Sequence, residues 1–87
     1  MTTTMVAQQD YVALFHSIHR VLAAEKSLKE AGVEFLLIPA PGELTSACGL
    51  AIRFAPELAL KIGRILSDAE LCPAELFVRE ESGFRKL

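Results

Sequence analysis

Phe35-Leu36-Leu37-Ile38, then Pro39-Ala40-Pro41-Gly42-Glu43-Leu44-Thr45-Ser46-Ala47-Cys48-Gly49, then Leu50-Ala51-Ile52-Arg53-Phe54: this run, in the middle of the chain, decides how the rest is read. The connection carries prolines at 39 and 41 and glycines at 42 and 49. Proline fixes φ and lacks an N–H, and glycine opens conformations that other residues avoid, so the connection is not regular structure. The flanking segments read as strands. Leu50, Ile52 and Phe54 alternate with Ala51 and Arg53, the period-two signal of a strand with one buried face. Two strands follow one another here with no helix between them. The chain on either side must supply the rest of the sheet and whatever covers it.

Toward the N-terminus, Gly32 supplies a helix stop just before the first of these strands. Ile18, Val21, Leu22, Glu25, Leu28 and Ala31 recur at helical spacing with one charged interruption. Ser17 is placed to cap that helix, its hydroxyl accepting from an N–H of the first turn. Tyr11 to Phe15 is short and apolar on both faces, as a central strand is. Residues 1–10 are polar and aperiodic and read as a flexible tail.

Toward the C-terminus, Ala55-Pro56-Glu57 opens a second helix, with proline at its first turn and a carboxylate near its positive end. Leu58, Ile62, Ile65, Leu66 and Ala69 form its apolar stripe. Cys72-Pro73 ends it, because the residue before proline avoids the helical region. Leu76 and Val78 alternate with Glu75, Phe77 and Arg79 in a last strand, expected at an edge. Residues 80–87 read as a charged tail. A single domain over 11–79 results, in the order strand, helix, strand, strand, helix, strand. That is an α+β fold, the ferredoxin-like split βαβ sandwich, with a four-stranded antiparallel sheet and both helices on one face.

Composition narrows the function classes. With 87 residues, 52% apolar and 23% charged, the chain is one globular domain. A core this small gains from burial against a partner, and a homodimer is one such outcome. A net charge of -2 with scattered Lys and Arg leaves no nucleic-acid footprint. No apolar run is long enough to span a membrane, and the first residues lack the pattern of a secretion signal. A cytoplasmic location is the expectation, with Cys48 and Cys72 reduced. Together with His16 and His19 the two cysteines match no zinc spacing, so no metal is expected.

The topology adds one inference. The first strand runs up to His16, the second runs up to the Pro39–Gly49 loop, and the second helix ends at the same level. His16, Ser17, Cys48 and Cys72 are therefore expected at one end of the domain. Cys48 would lie near the start of the first helix, whose unpaired N–H groups and partial positive charge favour a thiolate. A protonated His16 or His19 would act the same way. Cys72 sits about two strand spacings from Cys48, roughly 10 Å, too far for a disulfide without loop movement. It reads as a buried structural thiol first and a second, resolving thiol next. Blander roles stand beside these. Cys48 among small neighbours reads about evenly as reactive or as packed. His16 reads first as a surface or capping residue, Ser17 as a cap, and Pro39 and Pro41 as stiffeners. Arg53 reads as an exposed strand arginine, and Glu43 as a solvated carboxylate.

The series Phe15-His16-Ser17, Ala24-Glu25-Lys26, Leu28-Lys29, Gly32-Val33, Ile38-Pro39-Ala40-Pro41 and Ser46-Ala47-Cys48-Gly49-Leu50-Ala51-Ile52-Arg53 resembles the DUF3343 family. These are small bacterial proteins described as selenium/sulfur carrier protein-like. The likeness covers roughly Tyr11 to Val78, and Pro-x-Pro followed by Ser-x-Cys-Gly is its most specific part. It implies a thiol that carries sulfur or selenium at Cys48, in a loop shaped by Pro39, Pro41, Ser46 and Gly49.

The leading expectation is a thiol relay without a cofactor. Cys48 takes sulfur as a persulfide from a donor enzyme and passes it to an acceptor protein, with His16 and Ser17 in support. The alternative is a non-catalytic small-molecule-binding or regulatory module. A stand-alone enzyme ranks last, because no acid and base residues flank Cys48 in a recognisable pattern.

Overall fold

The computed structural model describes residues 9–44 and 48–87. In chain order these form β1 (Tyr11–Leu14), α1 (Ile18–Ala31), β2 (Leu36–Pro39), β3 (Leu50–Phe54), a single 3-10 turn (Pro56–Leu58) leading into α2 (Ala59–Asp68), β4 (Glu75–Glu80) and β5 (Gly83–Lys86). The strands make one sheet in the order β2-β3-β1-β4-β5, with every neighbouring pair antiparallel. β1 is central because Val12, Ala13 and Leu14 are all apolar and all buried, which only a strand covered on both faces allows.

The sheet corrects the four-stranded expectation. Residues 83–86 lie in the segment read as a tail, yet they pair with β4 as a fifth strand. Gly83, at φ 137°, closes the turn in a conformation that L side chains rarely adopt. Arg85 then pairs with Glu80 at 2.7 Å, and Lys86 with Glu75 at 3.1 Å. A four-residue strand with one apolar residue, Phe84, gives too little alternation to be seen in sequence. β4 is consequently interior, not an edge.

Both helices pack on one face of the sheet. Val21, Ala24 and Leu28 of α1 and Ile62 and Leu66 of α2 form a single cluster with Ala13, Phe15, Ile52 and Phe54. Tyr11 extends it, its ring centroid 5.5 Å from that of Phe54. Ile18 and Leu22, expected in the apolar stripe, are 39% and 44% exposed. Positions 21, 24 and 28 already fill the narrow strip where α1 meets the sheet. The capping expectations hold: Ser17 Oγ accepts from the Arg20 N–H at 3.2 Å, and Gly32, at φ 75°, closes the helix through its N–H to the last-turn carbonyls.

The opposite face is covered differently. Val12, Leu14, Ile38 and Ala51 are buried there, under Ala40, Leu44, Phe77 and Phe84. The connection after β2 folds back over this face, and β5 brings Phe84 from the other side. Arg79 joins the two: its guanidinium lies 5.2 Å from the centre of the Phe84 ring, and its Nη1 lies 3.9 Å from Glu43 Oε1. β3 is thus buried on both faces, because Ala51 is small enough to be roofed by the loop.

Asp10, assigned by the sequence to the flexible tail, is buried and paired with Arg53 at 2.5 Å. Gln9 N–H donates to the Arg79 carbonyl, and Arg79 N–H donates to the Asp10 carbonyl. Gln9 and Asp10 are therefore tied to the sheet ahead of β1, and Arg53 is a half-buried ion-pair partner, not an exposed strand residue.

Candidate functional site

The register fixes which residues meet at the end of the sheet that holds Cys48. Leu14 stands opposite Ala51 on one side and Glu75 on the other. Pro39 stands opposite Leu50. The end of β1, the end of β2 and the starts of β3 and β4 are therefore level. Phe15, His16 and Ser17 continue from β1 at that end. Ala74 N–H donates to the Leu14 carbonyl at 2.8 Å, which brings Cys72-Pro73-Ala74 beside them. Arg20 Nη2 donates to the Glu70 carbonyl at 2.8 Å, joining the start of α1 to the exit of α2. His16, Ser17, Cys48 and Cys72 gather at one end, as the strand directions require.

Local geometry places Cys48 at the mouth of the β2–β3 ladder. Ala40 N–H donates to the Gly49 carbonyl at 2.9 Å, one rung beyond the Pro39–Leu50 pair. Gly49 has φ 74°, a left-handed conformation that glycine adopts without a Cβ penalty, so the chain can turn sharply out of the ladder there. Cys48 precedes that turn. It is half-buried and packs against the helix-side cluster. Its Sγ donates to the Leu50 carbonyl at 3.3 Å. A carbonyl oxygen accepts from a thiol and repels an anionic sulfur, so a thiolate at Cys48 requires the side chain to rotate away from Leu50.

The other sequence candidates separate into groups. His16 is exposed. Ser17 uses its hydroxyl to cap α1. Pro39 is exposed at the end of β2, and Pro41 opens a turn closed by the Leu44 N–H on the Pro41 carbonyl at 2.9 Å. Ser46, with Thr45 and Ala47, lies outside the described residues. Cys72 is exposed, which overturns the reading of it as a buried structural thiol. It sits in the open turn between α2 and β4, where proline prevents the chain from packing as helix. Neither cysteine is in a disulfide. Among the described residues no group of His, Cys, Asp and Glu could hold a metal ion, and no helix is long and apolar enough to cross a membrane.

Two further features went unread in the sequence. Glu70 takes φ 58°, so the residue that turns the chain out of α2 is a glutamate and not a glycine. The other is an open groove of about 830 Å³ at the far end of the domain, between α1, the edge strand β2 and the turn before α2. Glu25, Lys29, Phe35, Leu37, Arg53 and Leu58 are among its walls. Its one sequence signal was Glu25, the charged residue interrupting the α1 stripe, which pairs with Lys29 at 3.3 Å.

A protein-family model described as "Putative Se/S carrier protein-like" matches residues 10–78. The match starts at the buried Asp10 and ends within β4, so β5 lies outside it. No curated protein matches the chain, and no solved structure does.

Proposed function

The chain belongs to the Se/S carrier protein-like family, and from that premise we propose that Cys48 is the residue that carries the chalcogen. The reading is that of a relay protein on a ferredoxin-like scaffold with an added strand. In the first step Cys48 loses its proton and turns from the Leu50 carbonyl. Its thiolate attacks the outer sulfur of a persulfide on a donor enzyme. A new S–S bond forms on Cys48, the donor's S–S bond breaks, and the donor leaves as a thiolate. The second step is the mirror of the first, with an acceptor thiolate attacking the outer sulfur held on Cys48. Selenium moves by the same exchange. Neither step changes the count of electrons, so no cofactor is needed, and the reducing cytoplasm is the compartment where such thiols persist.

One observation carries this reading: Cys48 is only partly buried, at the mouth of the β2–β3 ladder and at the end of the sheet where α1 begins. The opening turn of α1 offers N–H groups and a partial positive charge to an anionic sulfur at that end. His16 is exposed there and supplies a proton donor or acceptor to an incoming thiol. Cys72, exposed at the same end, is a second thiol that an incoming partner can reach.

Incubation with a cysteine desulfurase and cysteine, followed by intact-mass measurement, tests the proposal. A one-sulfur increment that maps to Cys48 and is absent from Cys48→Ser is expected. An increment found only on Cys72, or none with several desulfurases, ends the relay reading. Function preserved in Cys48→Ser would favour the binding-module alternative.

A further inference from the structure

The sheet has two edges, and they are built differently. β5 ends one side with Arg85 and Lys86, each held by a carboxylate on β4. Charged side chains of this kind keep an edge from pairing with another strand. β2 ends the other side as Leu36-Leu37-Ile38-Pro39, without a charge, and Leu36 is 47% exposed. Pairing of β2 with β3 leaves half of its backbone groups facing outward. Ala40 and Gly49 are a hydrogen-bonded pair, so Ile38 and Leu36, at even steps from it, also bond inward to β3. Leu37 and Pro39 turn outward, and the chain entering β2 at Phe35 follows the same alternation. Pro39 has no N–H to present, which is why the strand tolerates it at an edge.

We propose that β2 is the interface of a homodimer, pairing antiparallel with β2 of a second copy about a two-fold axis at Leu37. In that register the Leu37 residues of the two copies exchange both their N–H···O bonds. The Phe35 N–H of each copy donates to the Pro39 carbonyl of the other. Proline has no N–H, so each of the two Phe35–Pro39 pairs keeps one bond and loses the other. Leu36 of one copy then lies across from Ile38 of the other, on the face away from the helices. Leu37 and Phe35 of the second copy enter the groove on the helix side.

The groove fits this occupant by its charges. Its rim carries Lys29, 67% exposed at its side chain, together with Glu34 and Glu25. A two-fold axis sets a rim that carries both signs against an identical rim, which a self-complementary arrangement of Lys29 with Glu25 and Glu34 can satisfy. A partner of one sign would find one half of the rim repulsive. The inference is independent of the chemistry at Cys48, which lies at the far end of β2.

Sedimentation velocity of the full chain, from about one to a few hundred micromolar, is the first measurement. A species of twice the 9.5 kDa chain mass is expected to grow with concentration. Leu36→Lys charges the edge without touching the core and should weaken association by at least about thirtyfold, since the interface loses the same apolar contact twice. Leu60→Lys, at a position on α2 that is 88% exposed, is the control and should leave the dimer intact. Amide exchange supplies a readout that mere loss of folding would not give: the Leu37 N–H should be protected in the dimer and exchange freely in the folded Leu36→Lys monomer. A chain that stays monomeric throughout the range overturns the proposal. So does a dimer unaffected by Leu36→Lys, or a Leu37 amide that exchanges equally fast in both.

Discussion

Replacing Asp10 with alanine tests whether the chain before β1 is structural. Arg53 is 24% exposed at its side chain and Asp10 8%, so the pair is mostly withdrawn from water. Arg53 Nε is already buried without a hydrogen-bond partner. Asp10→Ala would leave Nη1 without its carboxylate as well, so the guanidinium loses its main compensation for burial. Breaking a fully buried pair costs about 3–5 kcal/mol, and the remaining exposure of Arg53 reduces this to about 2–3 kcal/mol. At roughly 0.05–0.15 kcal/mol of stability per residue, that is a large share of what a domain this size has. Arg53→Met alone should also destabilise, by removing the guanidinium that faces the buried Asp10 carboxylate. The double variant should recover most of the loss, to within about 1 kcal/mol of the parent, because an apolar pair of comparable volume needs no compensation. Urea unfolding followed by circular dichroism, at one fixed protein concentration, measures all four corners of the cycle. A loss below about 0.5 kcal/mol for Asp10→Ala, the value of a surface pair, would refute the argument.

Three further outcomes are expected. Phe84→Ala should destabilise by about 2 kcal/mol in the same unfolding assay, since the ring packs against the buried cluster on the face that carries no helix. Ser17→Ala should cost about 1 kcal/mol in the same assay through loss of the bond from the Arg20 N–H to the Ser17 hydroxyl. A bulky maleimide under native conditions should label the exposed Cys72 several-fold faster than the half-buried Cys48, as read by peptide mass mapping, with the difference disappearing in denaturant.

The α1 boundaries and the β1–β3 pattern were legible because each rests on local chemistry: a serine cap, a glycine stop, unbroken apolar runs. The gathering of His16, Ser17, Cys48 and Cys72 at one end was legible for another reason, since strand directions follow from element order. What was not legible depends on distant contacts. Asp10 looks like one more polar residue of a tail until Arg53 arrives from 43 positions away in sequence. Phe84 looks like an isolated aromatic until β4 gives it a neighbour. Ala51 looks like the wet side of a strand until the loop folds over it. Cys72, a structural thiol first by its sequence, is exposed, because its burial depends on how the turn between α2 and β4 lies and not on its neighbours in the chain. The groove could not be foreseen, because its walls come from three elements whose spacing no local pattern encodes.

The unequal treatment of the two rims of the sheet bears on self-assembly. A sheet with two bare rims polymerises, each added copy exposing a fresh template, which is how fibrils grow. Here the Arg85–Lys86 rim refuses a neighbour. If the Leu36–Pro39 rim is occupied, the particle presents only refusing rims, so growth stops after a single addition instead of running on into aggregate.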